Sequence, residues 1–224
     1  MKLIYDPASA SSRIVTFFLH DQGIAFEDRK ITIATGEQHQ PELVLVNPNR
    51  EVPVLIERNG FSLTQSSAII RHVATKYGLD IYPFDEIRRA KVDEAMSWFQ
   101  TNFHIFHCAL LSYTYLLPDM QRLDPKTLAM MRAMGANGSE KYLTVLNDHM
   151  IGANDYVCGN TMTLADYVGA ANVSLGVFAG MNFSNYPNVA RWLDTLQSRA
   201  GWAPAYAAFE RAVRHLHAPA LKIA

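Results

Sequence analysis

Cysteine is scarce in this chain of 224 residues, which contains only Cys108 and Cys158. There is no CxxC pair, so dithiol redox chemistry is excluded, and two cysteines do not make a disulfide framework. A reduced, cytoplasmic setting is therefore expected. An excess of charge is lacking too. The formal net charge is -1, and without a basic excess or a run of like charges we expect no nucleic-acid partner.

Long apolar runs are also absent. No stretch of about 18 apolar residues is available to span a membrane, and the opening MKLIYDP is typical of a strand rather than a signal peptide. We therefore expect no membrane partner. What the chain does contain is 49% hydrophobic and 18% charged residues, which is enough to bury a core in one large or two small domains.

The first 80 residues alternate between strand and helix patterns. The predicted elements are a strand at 2–5, a helix at 11–22 capped by Ser11 or Ser12, a strand late in 25–32, strands at 53–57 and 61–63, and a helix at 66–77. Asn59-Gly60 between the last two strands is a strong hairpin signal. This order predicts a parallel pair with a crossover helix, followed by a hairpin, in one small mixed sheet of an α/β domain.

Beyond about residue 80 the chain has helix patterns only. A proline-containing stretch at 79–88 predicts a linker. A long helix follows at 90–117, with an apolar stripe formed by Val92, Met96, Phe99, Phe103, Phe106 and Leu110. Further helices are predicted after Asp124-Pro125 and over 164–178, 187–199 and 204–217, with a break near Gly135 and Gly138. The domains predicted are thus an α/β domain at 1–78 and an all-α domain at 89–224.

Four short motifs resemble those of the soluble (cytosolic-type) glutathione S-transferase superfamily, in its bacterial, serine-type (theta/beta-like) form. They are SASSRIV at 9–15, NPNREVPVL at 47–55, LTQSSAIIRHVA at 63–74 and GNTMTLADY at 159–167. Their order and spacing match over essentially the whole chain. The resemblance implies a thioredoxin-like amino-terminal domain that binds glutathione and an all-helical domain that forms the electrophile site.

The peptide around Pro53 and the start of the helix at 66–77 each have two interpretations. Pro53 lacks an N–H and is tolerated at the first residue of a strand. The resemblance instead implies a cis Val52-Pro53 bond, with the Val52 backbone free to pair with a peptide-like ligand. Ser66 is an ordinary N-cap by its position. The resemblance implies that Ser66 binds the γ-glutamyl carboxylate of glutathione at the helix N-terminus, and that Gln65 contacts the same group.

A hydroxyl that stabilises the glutathione thiolate has several candidates near the first helix: Ser9, Ser11, Ser12 and Tyr5. In the resemblance to Ser-x-x-x-Arg-x-Val, the hydroxyl belongs to Ser9. Alignment with the bacterial cysteine-type class brings Ser11 to the cysteine position instead, and no cysteine stands there, which disfavours mixed-disulfide chemistry. Tyr5 falls within the first strand and is a weaker candidate. For the glycyl carboxylate, the loop at 36–43 offers Gln38 and His39 as donors.

The helical half supplies the remaining candidates. His107 falls where the bacterial class has a histidine that faces glutathione, although His104 and His107 also suit polar positions flanking the apolar stripe. No third ligand accompanies them, so no metal is expected. The aromatic residues Phe103, Phe106 and Tyr113 are candidates for an apolar wall around the electrophile, or for core. Thr163 and Asp166 predict a capping box and a structural role.

The resemblance implies an enzyme that activates the glutathione thiol as thiolate and transfers it to an apolar electrophile. Glutathione is then a co-substrate, and a cytoplasmic homodimer acting in detoxification is expected. A glutathione-dependent isomerase, dehalogenase or peroxidase would use the same thiolate. The alternative from another class is a non-catalytic, glutathione-binding or regulatory module of the same fold, which the uncharged Gln65 leaves open.

Overall fold

A computed structural model describes residues 1–213 of the chain. By their internal contacts these residues form two compact units. The first unit contains Met1–Leu79 together with Arg199–Ala212, and the second contains Asp80–Ser198 and Val213. The prediction of a helix over 204–217 and of an all-α domain to residue 224 falls in part on residues 214–224, outside the described residues.

The first unit is built on a four-stranded mixed sheet. Its strands are β1 (Lys2–Tyr5), β2 (Glu27–Lys30), β3 (Val54–Ile56) and β4 (Ser62–Thr64), in the order β2-β1-β3-β4. The β1/β2 pair is parallel and the other two pairs are antiparallel. Gly60 turns the β3–β4 hairpin with a φ of 84°, a conformation that glycine adopts without steric cost. The predicted mixed sheet is confirmed.

Helices cover both faces of this sheet. Helices α1 (Ala10–Asp21) and α3 (Ser66–Tyr77) pack against each other. Ile4 and Val54 instead form a small core with Leu43 of α2 (Pro41–Val46), so the neighbouring strand residues must face the other way. The predicted connection between β2 and β3 contains α2 and two single 3₁₀ turns, at Ile33–Thr35 and Glu37–His39.

Helix α9 (Trp202–Val213) also packs within the first unit, although we predicted it for the helical domain. Its Trp202 and Tyr206 lie edge-on to Phe17 of α1, with ring centroids 5.5 and 5.9 Å apart. A Cβ on Gly201 would approach the Asp21 backbone nitrogen to 2.5 Å, so only a glycine allows the chain to pass α1 this closely. The apolar face of α9 is thus buried on α1.

The second unit is helical throughout. It contains α4 (Glu86–Trp98), a π-wound segment (Phe99–Ser112), α5 (Tyr113–Leu116), α6 (Pro125–Val145), a π-wound turn (Leu146–Ile151), α7 (Leu164–Phe178) and α8 (Pro187–Gln197). A 3₁₀ turn at Met120–Arg122 precedes α6. None of the helices in residues 1–213 has the length and apolar character needed to cross a bilayer.

The long predicted helix exists, but its winding changes. From Phe99 onward the π winding brings every fourth residue to the core, so that Phe99, Phe103, His107 and Leu111 are buried. The predicted stripe stepped to Phe106 and Leu110 instead, because it assumed α-helical periodicity throughout. The wider i→i+5 turn of a π-helix rotates the buried face, and no local residue pattern announces it.

The predicted break near Gly135 and Gly138 is wrong, because α6 runs through both residues. A Cβ on Gly135 would lie 2.7 Å from the Leu110 carbonyl carbon, and one on Gly138 would lie 2.1 Å from the Phe106 ring. The two glycines therefore serve close packing of α6 against the π-wound segment, and the helix tolerates their lower propensity.

The predicted capping box at the start of α7 is confirmed. The fully buried Asp166 carboxylate accepts hydrogen bonds from the Thr163 N–H at 2.8 Å, the Val157 N–H at 3.0 Å and the Trp192 Nε1–H at 2.9 Å. Burial raises the pKa of Asp166, and these donors oppose that shift. Asp166 thus closes a helix terminus and ties α8 to it.

Candidate functional site

The strand register brings three connections of the first unit to one edge of the sheet. Ile4 pairs with Val54, and Val54 pairs with Thr64, in antiparallel ladders. The carboxyl end of β1, the amino end of β3 and the carboxyl end of β4 therefore lie side by side. Ser9, the Val52-Pro53 peptide and Ser66 lie on the connections at these three ends. The sheet thus gathers motifs that are far apart in sequence.

The loop between β1 and α1 is held by Asp6. Its carboxylate accepts hydrogen bonds from the Ala8 N–H at 2.7 Å and from the Ile33 N–H at 2.8 Å. The Ser9 N–H in turn donates to the Asp6 carbonyl at 3.0 Å. Because these bonds fix both ends of a short loop, Ser9 has a defined position at the start of α1.

Ser9 is the N-cap of α1, where we predicted Ser11 or Ser12. Its Oγ accepts a hydrogen bond from the Ser12 N–H at 3.3 Å, so its own hydroxyl proton is available to a ligand. Ser11 is exposed in the first turn. Ser12 is fully buried, and its hydroxyl has no partner among the described residues. Of the three serines, only Ser9 combines a capping position with a free donor.

Tyr5 is committed elsewhere. It is buried at the end of β1, and its hydroxyl donates to the Asp28 carboxylate on β2 at 3.4 Å. Burial is the largest cause that raises the pKa of Tyr5. A neutral phenol paired with a neighbouring strand is a structural group, in keeping with its low rank among the candidates.

The Val52-Pro53 peptide bond is cis, as the resemblance implied. Among the described residues, no backbone hydrogen bond involves the N–H or the C=O of Val52. The preceding turn is shaped by Asn47, whose side chain donates to the Glu51 carbonyl at 2.8 Å and accepts from the Asn49 N–H at 3.1 Å. Asn47 is a positioning residue that we did not predict, although it stands in the Asn-Pro motif.

The start of α3 differs from the predicted N-cap. Gln65 occupies the cap with a φ of 67°, its side chain makes no capping bond, and Ser66 is the first helical residue. The first-turn N–H groups of a helix have no intrahelical acceptors, and no acidic residue lies in this turn. A non-glycine residue at positive φ costs about 1–3 kcal/mol, and such residues cluster at functional sites. This terminus is therefore open to an anion.

Gln38 and His39 lie beyond β2, whose carboxyl end is parallel to that of β1 and shares the same edge of the sheet. They belong to the 3₁₀ turn Glu37–His39, and their Nε2 atoms are 3.4 Å apart. Gln38 is half-buried and His39 is exposed. The buried Oε1 of Gln38 has no partner among the described residues, so this amide has spare hydrogen-bonding capacity.

His107 is placed differently from the prediction. It is fully buried in the helical unit, where its Nε2 donates to the Val173 carbonyl at 3.4 Å. Its Nδ1 therefore accepts from the Ser139 hydroxyl at 2.7 Å. Burial lowers the pKa of His107 to about 3. A ring with no exposed surface cannot touch a ligand, so the expected contact with glutathione is corrected to a core hydrogen bond.

The predicted electrophile wall is only partly exposed. Phe103 is fully buried against Phe99, with ring centroids 5.7 Å apart, so its place in the wall is corrected to the core. Phe106 is half-buried and packs on Tyr142 at 5.6 Å. Tyr113 is also half-buried. Two of the three predicted aromatic residues are thus only half-buried.

His104, which we predicted as a polar residue flanking the apolar stripe, is the more accessible histidine of the pair. Its Nδ1 lies 2.8 Å from the Oδ1 of Asn172, whose Nδ2 donates to the Val168 carbonyl at 2.8 Å. This fixes the amide orientation, so Nδ1 of His104 is the donor and Nε2 is left as an acceptor. Within residues 1–213, no three His, Cys, Asp or Glu side chains converge as a metal site would require.

Comparison with known proteins agrees with this architecture. The family model for the glutathione S-transferase N-terminal domain matches residues 4–75, and that for the C-terminal domain matches residues 103–200. Together they cover well over half of the chain.

Individual relatives agree with the family models. The chain is 28% identical over 207 residues to mouse glutathione S-transferase theta-1, covering 90% of this chain and 84% of the relative. It is similar to a delta-class glutathione transferase structure from Nilaparvata lugens, at 25% identity, with a TM-score of 0.81 and coverage of 96% and 99%. Human glutathione transferase theta-2, solved with glutathione, shares the fold at 23% identity with a TM-score of 0.84, covering 97% of this chain and 92% of that one.

The chain belongs to the glutathione S-transferase superfamily. It is an enzyme of the glutathione S-transferase class, built as an α/β unit followed by a helical unit. The theta-class relative agrees with the theta-like part of the prediction. The bacterial, serine-type assignment stays a prediction.

Proposed function

We propose that this enzyme binds glutathione along the sheet edge defined above, holds its sulfur as thiolate beside Ser9, and transfers it to an apolar electrophile. The observation that supports this most strongly is the strand register. It gathers a hydroxyl donor, an unpaired main-chain segment and an open helix terminus at one edge. A tripeptide with a thiol at its centre and a carboxylate at each end needs these three kinds of partner.

The γ-glutamyl carboxylate belongs at the start of α3. The helix dipole and the free N–H groups favour a negative charge there, and the Ser66 side chain adds a hydroxyl donor. Gln65 lies at the same point and offers its side-chain amide to the same moiety. Because Gln65 carries no charge, its interaction with the substrate ammonium is a hydrogen bond and not an ion pair.

The cysteinyl part of glutathione pairs with the main chain of Val52. Its N–H and C=O have no partner among the described residues, so they can hold an extended ligand as an added strand is held. This pairing does not depend on side-chain identity. It would put the central thiol near the carboxyl end of β1, where Ser9 lies. Gln38 and His39, at the end of β2 on the same edge, are the proposed donors to the glycyl carboxylate.

Ser9 stabilises the thiolate. A thiol with a pKa of about 8.5 is mostly protonated at pH 7, and lowering that pKa by two units takes about 2.7 kcal/mol of differential stabilisation. A hydroxyl donor to sulfur at a helix N-terminus supplies interactions of this kind. Ser9 is preferred to Ser11 because Ser9 caps the helix with its proton free, whereas Ser11 lies exposed two residues further on, within the first turn.

The helical unit contributes the contacts to the electrophile, for which Phe106 and Tyr113 are the proposed residues. A homodimer in the cytoplasm, acting in detoxification, is the proposed setting, as is usual in this family. The same thiolate would also serve isomerisation, dehalogenation or peroxide reduction, and the choice depends on the electrophile that these aromatic residues accept. A purely glutathione-binding role would require binding without any lowering of the thiol pKa.

Ser9→Ala tests the proposal, with Ser11→Ala as the matched control. Turnover with a chromogenic electrophile should fall at least about tenfold in Ser9→Ala, since one donor to the thiolate is lost. An absorbance titration of the bound thiol should show its pKa raised in Ser9→Ala only. If Ser11→Ala shows the loss instead, the role belongs to Ser11. If calorimetry with wild-type protein gives no heat with glutathione, the proposed function is wrong.

A further inference from the structure

Helix α9 runs antiparallel along α1, and the contacts between them follow one another in order. At the start, Arg199 Nε donates to the Asp21 carboxylate at 2.7 Å, at the last residue of α1. In the middle, Tyr206 lies edge-on to Phe17. The apolar residues of α9 thus lead from the end of α1 back toward its first turn, where Ser9 lies.

Arg13 lies under the far end of α9. This side chain is fully buried in the first turn of α1, a rare position for a guanidinium group. The Phe209 ring covers it, with 3.7 Å between the guanidinium carbon and the ring centroid, and the Tyr206 ring lies 5.3 Å away. A cation over an aromatic face is stabilised by the ring quadrupole, more strongly when both groups are removed from water.

The other side of Arg13 holds the loop that carries Ser9. Its Nη1 donates to the Ala8 carbonyl at 3.0 Å, and Ala8 is the residue directly before Ser9. The loop therefore has two anchors. Asp6 holds it from within the β1–α1 connection, whereas Arg13 is itself covered by a ring contributed by α9.

We propose that Arg13 is a positioning residue for the thiolate-stabilising hydroxyl of Ser9, and that Phe209 of α9 holds Arg13 in place. This inference rests on the proposed function, because it takes Ser9 to be the group that contacts sulfur. It adds that α9, through Phe209 and Arg13, controls the position of the β1–α1 loop and thereby the rate of the reaction. Neither Arg13 nor Phe209 needs to touch glutathione for this.

The geometry predicts which kinetic constant changes. A displacement of about 1 Å at a catalytic group is enough to cost up to 10²-fold in rate. The carboxylate and main-chain contacts proposed for glutathione lie at Ser66 and Val52, on other connections of the sheet. Loosening Arg13 should therefore lower kcat and raise the pKa of the bound thiol, while KM for glutathione changes little.

The test compares Phe209→Leu with Arg199→Gln in the full-length protein. Both substitutions weaken the docking of α9 on α1, but only the first removes the ring over Arg13. We expect kcat in Phe209→Leu to fall about five- to tenfold, with KM for glutathione within about twofold and the pKa of the pH–rate profile raised. Arg199→Gln should lower Tm and leave kcat and the pH profile unchanged. Phe209→Tyr, which keeps a ring over Arg13, should retain the wild-type kcat and pH profile.

Amide hydrogen exchange without glutathione separates this proposal from the proposed function. Residues 9–13 should exchange faster in Phe209→Leu than in Arg199→Gln, since only the former frees the loop. Equal exchange and equal kcat in the two variants would overturn the role of Arg13. Wild-type protein that fails to conjugate glutathione would overturn the proposed function, while the exchange comparison would still decide the anchoring of the loop.

Discussion

The amino-terminal ends of α3 and α7 satisfy their unpaired N–H groups in opposite ways. At α7 the chain supplies its own acceptor, because the Asp166 carboxylate closes the capping box and also binds Trp192. At α3 the cap is Gln65, whose side chain makes no capping bond, and no acidic residue follows in the first turn. One terminus is complete within the protein, and the other has room for an acceptor from outside.

The two units also differ in whether their polar groups are paired within the protein. In the helical unit, the buried His107 has both ring nitrogens paired. At the sheet edge of the first unit, the Val52 backbone and the Gln38 Oε1 have no partner among the described residues. Buried polar groups are normally paired, so a concentration of unpaired groups at one edge indicates a ligand site. The absence of a hydrogen-bond partner within the described residues is therefore the feature that points to a candidate ligand site.

The largest predicted effect follows from removing the acceptor at α7. Asp166→Ala would remove the acceptor of four buried donors, the Thr163 hydroxyl among them. At about 1–3 kcal/mol for each donor left unpaired, the free energy of unfolding should fall by roughly 4 kcal/mol or more. Asp124→Ala is the matched control. It removes an exposed N-cap from α6 and should cost about 1 kcal/mol. Urea unfolding measures both losses of stability. Equal losses would contradict the role of Asp166 as the acceptor for several buried donors.

The pH dependence of stability tests the pairing of His107. Its folded pKa of about 3 lies below the ordinary value of 6.5, so the unfolded state binds the proton more tightly between these values. The contribution of His107 to the free energy of unfolding should therefore be fully present above about pH 6.5. It should fall by about 2 kcal/mol between pH 7 and pH 5.

The measurement is the slope of unfolding free energy against pH in wild type and His107→Gln. Subtracting the two isolates the histidine, because Asp166, whose raised pKa acts in the opposite direction, is common to both proteins. A slope that survives the substitution unchanged would show that His107 is not the buried neutral group described here. Activity at pH 7 is not the readout, since the ring does not reach a ligand.

The smallest predicted effect on stability belongs to the open terminus. Ser66→Ala should leave the free energy of unfolding within about 1 kcal/mol, because the hydroxyl is not a cap in this structure. It should weaken glutathione binding about tenfold, the equivalent of one hydrogen bond to a charged group. Ser67→Ala is the control one residue along, since its buried hydroxyl has no partner among the described residues. Calorimetric titration compares the two, and equal affinities would sink the assignment.

The pattern-based predictions succeeded where the determining contacts are local. The Asn59-Gly60 turn and the Thr163–Asp166 box depend on residues within a few positions of each other, and both formed as predicted. The predicted helix at 90–117 was also found, but its buried face turned after Phe99. Packing against α6, through Gly135 and Gly138, accompanies the π winding there, and no short window of sequence contains both partners.

The candidate site was predictable in part for the same reason. Motif spacing pointed to Ser9, Val52-Pro53 and Ser66, whereas the contributions of Asn47 and Arg13 emerged only from hydrogen bonds in the folded chain. The prediction for His107 was wrong because the sequence pattern around a histidine on an amphipathic helix is the same whether the ring faces a ligand or the core. Which side it faces depends on the winding of the helix, not on its neighbours in sequence.

By itself the sequence determined the kinds of elements, their order and the family motifs, because hydrophobic period, turn residues and caps act over a few residues. The tertiary structure decided which polar groups were left unpaired, which face of the 86–116 helix was buried, and that α9 packs on α1. Those outcomes depend on close packing between segments far apart in the chain, where a single methyl group or one wide turn changes which surfaces meet.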